Sequence, residues 1–318
     1  MSKKTLIFDG NNTFLRCLFT DYVDPESENP DFDYWEYMTF NSILIAVRKF
    51  RADEVVLGVD NSSWRKVVYP PYKGDRKKKK ERKNINWDKI YELMDQFSEN
   101  WKKHFPIKVI KTFGAEADDI IGVLAKHIKN EKIVVSVDED YLQLLKEDNI
   151  KIYHPIQKKF RQVEDVDTFL QKLYICGQKK DNIYNILTPL DFNGDEQRKA
   201  ALGENKFKKI LEIGIDRWLD EEGIKEVEEH NKKIAEFNKK SDKKRLLYET
   251  NLRDRYELNK RIINFEYVPA PIKKSIIDQY NNYKFNESDF IYQYFKQKNW
   301  QGFLEDFTRV ENSLINLY

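Results

Sequence analysis

The feature that most constrains the fold is an alternation of short apolar runs with longer amphipathic stretches through the first half of the chain. Five runs have the length and apolar content of strands, at residues 5–8, 54–59, 107–110, 133–137 and 150–153. The stretches typical of helices are residues 34–50, 86–104, 115–129 and 140–146. Parallel strands need such crossover helices, which cover both faces of the sheet. We therefore expect an α/β fold with a mainly parallel central sheet flanked by helices.

The second half of the chain has a different pattern. From about Asp165 the sequence becomes mainly helical, and Ile224, Val227 and Ile234 recur at helical spacing among Lys and Glu residues. One buried stripe on a solvated helix explains that spacing without any role in binding. The segment rich in Tyr and Phe at residues 280–307 is expected to be core. We expect two domains, an α/β domain at residues 1–170 and a smaller helical domain at 171–318.

Composition excludes several classes of protein. A chain of 318 residues, 40% of them hydrophobic and 14% aromatic, can bury a sizeable core and is not disordered. No apolar run approaches the ~20 residues that span a bilayer, and we expect no signal peptide and no membrane partner. Cys17 and Cys176 have no metal-ligand spacing, and we interpret them as thiols in a reducing cytoplasm. We expect a cytoplasmic monomer.

Acidic residues follow the predicted strands. Asp9, Asp60 and Asp138 each come directly after a strand-like run, and parallel strands would bring all three to the same edge of the sheet. Further acids lie near these positions, and together they make eight carboxylates from five segments: Asp9, Asp60, Glu116, Asp118, Asp119, Asp138, Asp140 and Asp181. A single Asp at a strand end is more often a turn or helix-cap residue, but repetition at successive strand ends favours a metal site.

Divalent cations would remove the repulsion between these acids. Clustered carboxylates raise each other's pKa, and some would otherwise have to take up protons. Ligation by oxygen alone suits Mg²⁺, for which Mn²⁺ can substitute, better than zinc. Two such ions about 3.5–4 Å apart can orient a water molecule and stabilise the attacking and leaving oxygens of a phosphodiester. We therefore expect two Mg²⁺ sites.

Other enzyme classes fit the sequence less well. A phosphatase that forms a phosphoaspartate needs a second Asp two residues after the first, where this chain has Asn11. No Gly-rich phosphate loop followed by Lys-Ser or Lys-Thr is present, which disfavours an ATPase. The histidines are scattered and form no paired zinc motif. A toxin-type ribonuclease with a similar acidic sheet is the nearest enzymatic alternative, although such proteins are usually much shorter.

These motifs resemble those of the flap-endonuclease/5′-nuclease family, and within it the ribonuclease H enzymes of bacteriophages. IFDGNN and GVDNSSWR resemble the first two acidic strands of the family, EADD its helical acids, VDEDYLQLL its paired-aspartate motif and GQKKDN its Gly-Asp-x-x-Asp-Asn motif. The resemblance covers most of residues 1–190. It implies that Asp119 and Asp181 serve the second metal. Six acids are implied to serve the first metal or its waters: Asp9, Asp60, Glu116, Asp118, Asp138 and Asp140.

One position departs from the family pattern. Gln178 stands where the last motif usually has its first aspartate. Glutamine is neutral, so the second metal site loses one negative charge. Weaker binding, binding through water, or substitution by Asp195 or another nearby acid all remain open from the sequence.

A basic segment follows the Asp60 motif. Eight Lys or Arg residues lie between positions 73 and 83, although the net charge of the chain is only +2. The resemblance implies an arch at about residues 70–85, with Lys73 and Arg76 as catalytic cations beside the scissile phosphate. The remaining cations of the arch are expected to contact backbone phosphates: Lys77, Lys78, Lys79, Lys80, Arg82 and Lys83. Three lysines further along the chain are expected to do the same: Lys206, Lys208 and Lys209. The alternatives are a solvated loop for the arch and a plain amphipathic helix for the three lysines.

The resemblance implies a Mg²⁺-dependent 5′-to-3′ exonuclease and flap endonuclease that acts on DNA and RNA/DNA junctions. Primer removal in phage DNA replication is the implied role, with a sliding clamp and a single-strand-binding protein as possible partners. Tyr69 and Tyr72 either stack on bases or pack within the protein. The alternative function is a non-catalytic junction-binding protein on a decayed nuclease fold, which only Gln178 favours.

Overall fold

A six-stranded sheet forms the centre of the protein. The computed structural model describes residues 3–20, 23–27, 30–76, 85–190, 192, 201–241, 245–285, 290–315 and 317. The sheet has the order β3-β2-β1-β4-β5-β6, and its strands are β1 (Lys4–Asp9), β2 (Glu54–Val59), β3 (Ile107–Lys111), β4 (Glu131–Val135), β5 (Ile150–His154) and β6 (Lys159–Arg161). Neighbouring strands from β3 through β5 are parallel, and only β6 is antiparallel to its neighbour. The predicted α/β fold with a mainly parallel sheet is confirmed.

The register of the central strands decides which residues meet at the carboxyl edge of the sheet. Asp9 of β1 lies opposite Gly58 of β2, and Phe8 lies opposite Val135 of β4. Asp60 therefore leaves the sheet beside Asp9 on one side. On the other side the chain after Val135 leads within three residues to Asp138.

The chain divides into two compact units. The first comprises Met1–Trp64, Lys80–Glu164 and Val268–Tyr318, and the second comprises Arg65–Lys79 and Asp165–Tyr267. This division differs from the boundary predicted at residue 170, because the last segment belongs to the first unit and the segment after Trp64 belongs to the second. Helical periodicity indicates that a face is buried, but not which of two cores buries it.

In the first unit the sheet is flanked by helices whose aromatic side chains form the core. The helices are Gly10–Leu18, Phe32–Phe50, Trp87–His104, Ala117–His127, Ala270–Asn282, Phe290–Gln297, Gln301–Glu305 and Phe307–Ile315, with a 3₁₀ helix at Glu139–Lys146. Trp35, Trp101, Phe105 and Phe295 are completely buried in one cluster. From the C-terminal Tyr- and Phe-rich segment, Tyr294, Phe295, Trp300 and Phe303 join this core, as predicted, whereas Tyr292 is 45% exposed.

The second unit is helical and has its own core. Its elements are Arg65–Val68, Val166–Cys176, the 3₁₀ turn Lys179–Asp181, Glu204–Ile213, Ile215–Arg217, the π-helical turn Trp218–Glu222, Gly223–Lys240, Leu252–Ile263 and the 3₁₀ turn Phe265–Tyr267. Tyr69 and Tyr72 are part of its core cluster and are 3% and 4% exposed. Of the two interpretations of these tyrosines, packing is the one that the structure supports. None of the helices in the described part of the chain is long and apolar enough to cross a membrane.

A tight loop at residues 177–183 depends on a glycine. Gly177 ends the helix Val166–Cys176 with φ 71° and ψ −174°, a conformation that residues with a side chain rarely adopt. Gln178 and Ile183 then exchange two backbone hydrogen bonds of 2.8 and 3.0 Å across the loop. A Cβ atom at position 177 would overlap the carbonyl oxygen of Ile183 and lie 2.6 Å from the carbonyl carbon of Tyr184.

We predict that Gly177→Ala lowers the free energy of unfolding by roughly 2 kcal/mol or more, because positive φ and backbone overlap both oppose the new Cβ. Urea denaturation measures the change. Gly203→Ala is the matched control: Gly203 is the exposed N-cap of the helix Glu204–Ile213 with negative φ, and its Cβ would meet nothing within 4 Å, so we expect a loss of no more than about 1 kcal/mol. Equal effects of the two substitutions would contradict the strain argument.

Candidate metal centre and arch base

Asp9 ends β1 and begins the helix Gly10–Leu18. Its Oδ1 accepts a hydrogen bond of 2.9 Å from the backbone N–H of Asn12, the usual way in which an Asp N-cap satisfies the first turn of a helix. Its Oδ2 faces the hydroxyl groups of Ser136 at 3.2 Å and Tyr141 at 3.1 Å. These three donors hold the carboxylate in one position, and the residue is only 6% exposed.

Asp60 connects the end of β2 to the start of a helix. Its backbone N–H donates to Asn11 Oδ1 at 3.0 Å, and its Oδ1 accepts from the backbone N–H of Ala117 at 2.6 Å. Ala117 opens the helix Ala117–His127, where a carboxylate also interacts favourably with the helix dipole. Asp60 is half-buried. The hydrogen bond from Ala117 fixes its side chain at the same edge of the sheet as Asp9.

The acids of the EADD motif have two different environments. Glu116 Oε2 accepts from the Ser63 hydroxyl at 2.8 Å, and Asp118 is half-buried with Oδ1 2.7 Å from the Tyr141 hydroxyl. Asp119 is completely buried. One of its oxygens accepts from the indole N–H of Trp64 at 3.3 Å and the other from the backbone N–H of Glu116 at 3.0 Å. Asp119 thus secures the start of the helix.

Asp138 and Asp140 lie at the start of the 3₁₀ helix that follows β4. Asp138 Oδ1 accepts from the backbone N–H of Asp140 at 3.0 Å, and the backbone N–H of Asp138 donates to the Ser136 hydroxyl at 3.1 Å. Because Ser136 also faces Asp9, it joins β1 to this turn. Asp138 is half-buried and Asp140 is 8% exposed.

Sequence reasoning missed Tyr141. This fully buried phenol lies between Asp118 and Asp9, at 2.7 and 3.1 Å. Burial and the neighbouring carboxylates hold its pKa well above the usual value for tyrosine, so it keeps its proton and donates it to these acids. Its place directly after Asp140 in VDEDYLQLL was the available signal, but no periodicity distinguishes such a phenol from a core aromatic.

The carboxylates at this edge repel one another. Burial, Asp60 and Asp138 together raise the pKa of Asp9 to about 6, against the lowering effect of the hydrogen bonds from Asn12 and Tyr141. A nearby cation would remove that repulsion, and oxygen donors suit a hard divalent ion. In the part of the chain that the structure describes, however, no group of three or more His, Cys, Asp or Glu side chains is already arranged to hold a metal ion.

Asp181 belongs to the second unit, where it pairs with a predicted catalytic cation. Arg76 Nη2 lies 2.6 Å from Asp181 Oδ1, and the arginine side chain is 47% exposed against 5% for the aspartate. The backbone N–H of Lys73 donates to the carbonyl of Asp181 at 2.9 Å. Lys73 has φ 56°, and its ammonium lies 4.9 Å from the ring centre of Tyr72. Both predicted catalytic cations therefore bind Asp181, Lys73 through its backbone N–H and Arg76 through its guanidinium.

Asn182 fixes the same segment from the next position. Its side chain donates to Asp75 Oδ2 at 2.7 Å and accepts from the backbone N–H of Asp75 at 3.2 Å. Its carbonyl accepts from the Tyr69 hydroxyl at 3.2 Å. Residues 69–76, which we call the arch base, thus form five hydrogen bonds with residues 181 and 182. Gln178, 9% exposed, begins this loop.

The remaining predicted nucleic-acid contacts have varied outcomes. Asp195 lies outside the described residues. So do six of the predicted arch cations: Lys77, Lys78, Lys79, Lys80, Arg82 and Lys83. Lys206 forms an ion pair with Glu226 and lies 5.2 Å from the ring centre of Trp218. Lys208 and Lys209 are exposed on the helix Glu204–Ile213. Of these three lysines, Lys206 has a structural partner and the other two have the exposure that phosphate contacts require.

We predict that Asp9→Asn stabilises the metal-free protein. The raised pKa of Asp9 corresponds to about 3 kcal/mol disfavouring the charged form at neutral pH, and Asn retains an acceptor for Asn12. The thermal midpoint in EDTA should rise, by the equivalent of roughly 1–3 kcal/mol. Asp165→Asn is the control, since Asp165 is an exposed N-cap whose pKa is lowered by hydrogen bonds to Thr168. It should give no rise, and a fall for Asp9→Asn would contradict the repulsion argument.

Comparison with known proteins covers both halves of the chain. Residues 4–173 match the family model of the 5′-3′ exonuclease, N-terminal resolvase-like domain, and residues 211–309 match that of the T4 RNase H C-terminal region. The ribonuclease H of Enterobacteria phage T4 is 27% identical over 284 residues, which are 85% of this chain and 85% of that protein. A 5′-3′ exonuclease of Buchnera aphidicola is 26% identical over 196 residues, covering 57% of this chain and 64% of the relative.

The fold is also similar to that of a solved nuclease. A flap endonuclease of bacteriophage T5, solved with DNA and metal ions, superposes with a TM-score of 0.58 at 18% identity, over 88% of this chain and 98% of the other. That likeness supports the architecture alone. The family match extends over more than half of the chain, and the sequence resemblance stated above is confirmed. The chain therefore belongs to the 5′-3′ exonuclease family.

Proposed function

We propose that this chain is a divalent-metal-dependent 5′ nuclease that hydrolyses phosphodiesters at 5′ ends and flaps of DNA and RNA/DNA junctions. The observation that carries the proposal is the set of mutually repelling carboxylates, Asp9, Asp60 and Asp138, fixed at the carboxyl edge of the sheet in a chain of this family. Such an arrangement destabilises the metal-free protein and is useful only if a cation occupies it.

Six acids are proposed to hold Mg²⁺ directly or through its waters: Asp9, Asp60, Glu116, Asp118, Asp138 and Asp140. Because the described residues hold no ready-made group of three ligands, we propose that several contacts run through water, as Mg²⁺ commonly allows. When bound, the cations would supply a metal-activated water and neutralise charge on the phosphodiester. The hydrogen bonds from Asn12, Ser136 and Ala117 orient the carboxylates before any ion arrives.

Asp119 and Tyr141 are proposed to support these ligands. Asp119 is completely buried and both of its oxygens are engaged by protein donors, whereas Asp9 keeps some exposure, so we assign Asp119 to positioning Glu116 and not to direct ligation. Tyr141 shares its proton between Asp9 and Asp118, which sets the spacing of the strand acid and the helix acid.

Lys73 and Arg76 are proposed to stabilise charge that grows on the scissile phosphate in the transition state. Asp181 neutralises Arg76 in the described structure, so a part for Asp181 in a second cation site would require it to release that arginine. Gln178 stands in the same loop where the family motif usually has an aspartate, so the loop carries one acid fewer. We propose that the second cation, if it binds here, binds more weakly than the first.

Primer removal during bacteriophage DNA replication is the biological role we propose. The similarity to the ribonuclease H of phage T4 along 85% of both chains supports it. The experiment that tests the function is cleavage of a 5′-labelled flap and a 5′-labelled nicked duplex, each with an RNA or a DNA 5′ end, in Mg²⁺ and in EDTA. Release of short 5′ products only with Mg²⁺ is expected. Binding without cleavage would instead support a non-catalytic junction-binding protein.

We predict that Asp138→Asn lowers kcat for flap cleavage by at least about 100-fold while leaving the dissociation constant for the flap within a few-fold of wild type. The neighbouring residue offers a matched control. Glu139 is exposed and forms a surface ion pair with Arg161, so Glu139→Gln should keep its activity. Loss of binding together with activity in Asp138→Asn would mean that the acid serves folding and not chemistry.

A further inference from the structure

A buried arginine in the second unit has an unusual environment. Arg255, on the helix Leu252–Ile263, is 0% exposed. Its Nη2 donates to the hydroxyl of Tyr69 at 3.2 Å and to the carbonyl of Tyr184 at 3.5 Å. Its guanidinium lies 5.2 Å from the ring centre of Tyr69 and 5.8 Å from that of Tyr184. The contacts of this cation are therefore with two tyrosines.

The charge of Arg255 is poorly compensated. No carboxylate in the described part of the chain forms an ion pair with it, and its Nε and Nη1 atoms have no hydrogen-bond partner there. Oδ1 of Asn259, one helical turn further on, is also buried and unpartnered. Burying a charge without an opposite charge is costly, and an apolar side chain of similar volume is usually as stable or more so. Stability therefore gives no reason for an arginine at this position.

The contacts of Arg255 lead directly to the arch base. The Tyr69 hydroxyl accepts from Arg255 and donates its own proton to the carbonyl of Asn182 at 3.2 Å. Asn182 in turn holds both the side chain and the backbone of Asp75. Asp75 lies between Lys73 and Arg76, which are themselves bonded to Asp181. The route from the guanidinium to these two cations therefore consists of hydrogen bonds as far as Asn182 and Asp75, and of the peptide bonds that join those residues to Asp181 and Arg76.

We propose that Arg255 is a positioning residue for the nuclease reaction. It holds Tyr69, and with Tyr69 the rest of the arch base, which includes Lys73 and Arg76. The inference rests on the function proposed above for those two cations. Arg255 does not contact substrate. By fixing Tyr69 on one side and the Tyr184 carbonyl on the other, it sets the position of the loop at residues 181 and 182 against the arch base. Displacement of a catalytic group by about 1 Å can cost on the order of 100-fold in rate.

The purely structural alternative predicts a different result for stability. If Arg255 served only to hold the helix Leu252–Ile263 in place, its removal would destabilise the protein and any loss of activity would follow the loss of folded molecules. If it serves positioning at the expense of stability, its removal leaves the protein as stable or more stable and less active. The sign of the change in thermal midpoint separates the two.

The test compares Arg255→Met with wild type in cleavage of the labelled flap with Mg²⁺. Methionine keeps an unbranched apolar stem but has no donor. We expect kcat per folded molecule to fall about 10–100-fold, the dissociation constant for the flap in EDTA to stay within about twofold, and the thermal midpoint to stay unchanged or rise. Cleavage by wild type is measured first, so that failure of the proposed function is seen separately.

Arg253→Met is the matched control on the same helix. Arg253 forms surface ion pairs with Asp216 at 2.8 Å and Asp220 at 2.6 Å. The same chemical change there should leave kcat within about twofold of wild type and should not raise the thermal midpoint.

A double-mutant cycle with Lys73→Ala tests the route of the effect. If Arg255 acts through the arch base, the effects of Arg255→Met and Lys73→Ala on kcat are less than additive. Tyr69→Phe, which removes only the bridging hydroxyl, replaces Arg255→Met in the cycle if the latter does not fold. The inference is overturned if kcat per folded molecule stays within twofold of wild type, or if the two effects are fully additive.

Discussion

Carboxylates gathered at one edge of a parallel sheet repel one another, and the residues around Asp9, Asp60 and Asp138 are arranged to hold them together. The register of β1 with β2 and β4 leaves Asp9, Asp60 and the turn before Asp138 side by side. Parallel strands all end at the same edge, so acids after successive strands cannot be separated without changing the topology. Burial and then the neighbouring carboxylates Asp60 and Asp138 raise the pKa of Asp9.

The surrounding residues resist that repulsion with hydrogen bonds. Each strand-end acid accepts a backbone N–H at the start of a helix or turn: Asn12 for Asp9, Ala117 for Asp60 and Asp140 for Asp138. The acids therefore bind the starts of helices and turns as well as being candidate ligands, and the two roles are compatible because a carboxylate has about four lone-pair sites and each such hydrogen bond uses one. Ser136 and Tyr141 add donors at Oδ2 of Asp9.

The second unit treats its charges in a different way. Its predicted catalytic cations are held against a short loop made possible by the positive φ of Gly177. From that loop Asp181 binds the Arg76 side chain and the Lys73 backbone, and Asn182 binds Asp75 between them. The sheet edge thus gathers negative charge on rigid strands, whereas the arch base gathers positive charge on a segment that is fixed by side chains. Arg255 belongs to that fixation, since it donates a hydrogen bond to Tyr69 of the arch base.

The sequence by itself determined the sheet, its parallel character and the acids at its carboxyl edge, because strand length, helical periodicity and strand ends are local properties. It also indicated that the Tyr- and Phe-rich C-terminal segment is buried. Only the tertiary structure showed which core buries the aromatic residues of that segment, that Asp119 and Asp181 have protein partners, that Tyr141 lies between Asp9 and Asp118, and that Arg255 contacts Tyr69. Those outcomes depend on contacts between residues far apart in the chain, and a buried stripe or a lone tyrosine has no local pattern that names its partner.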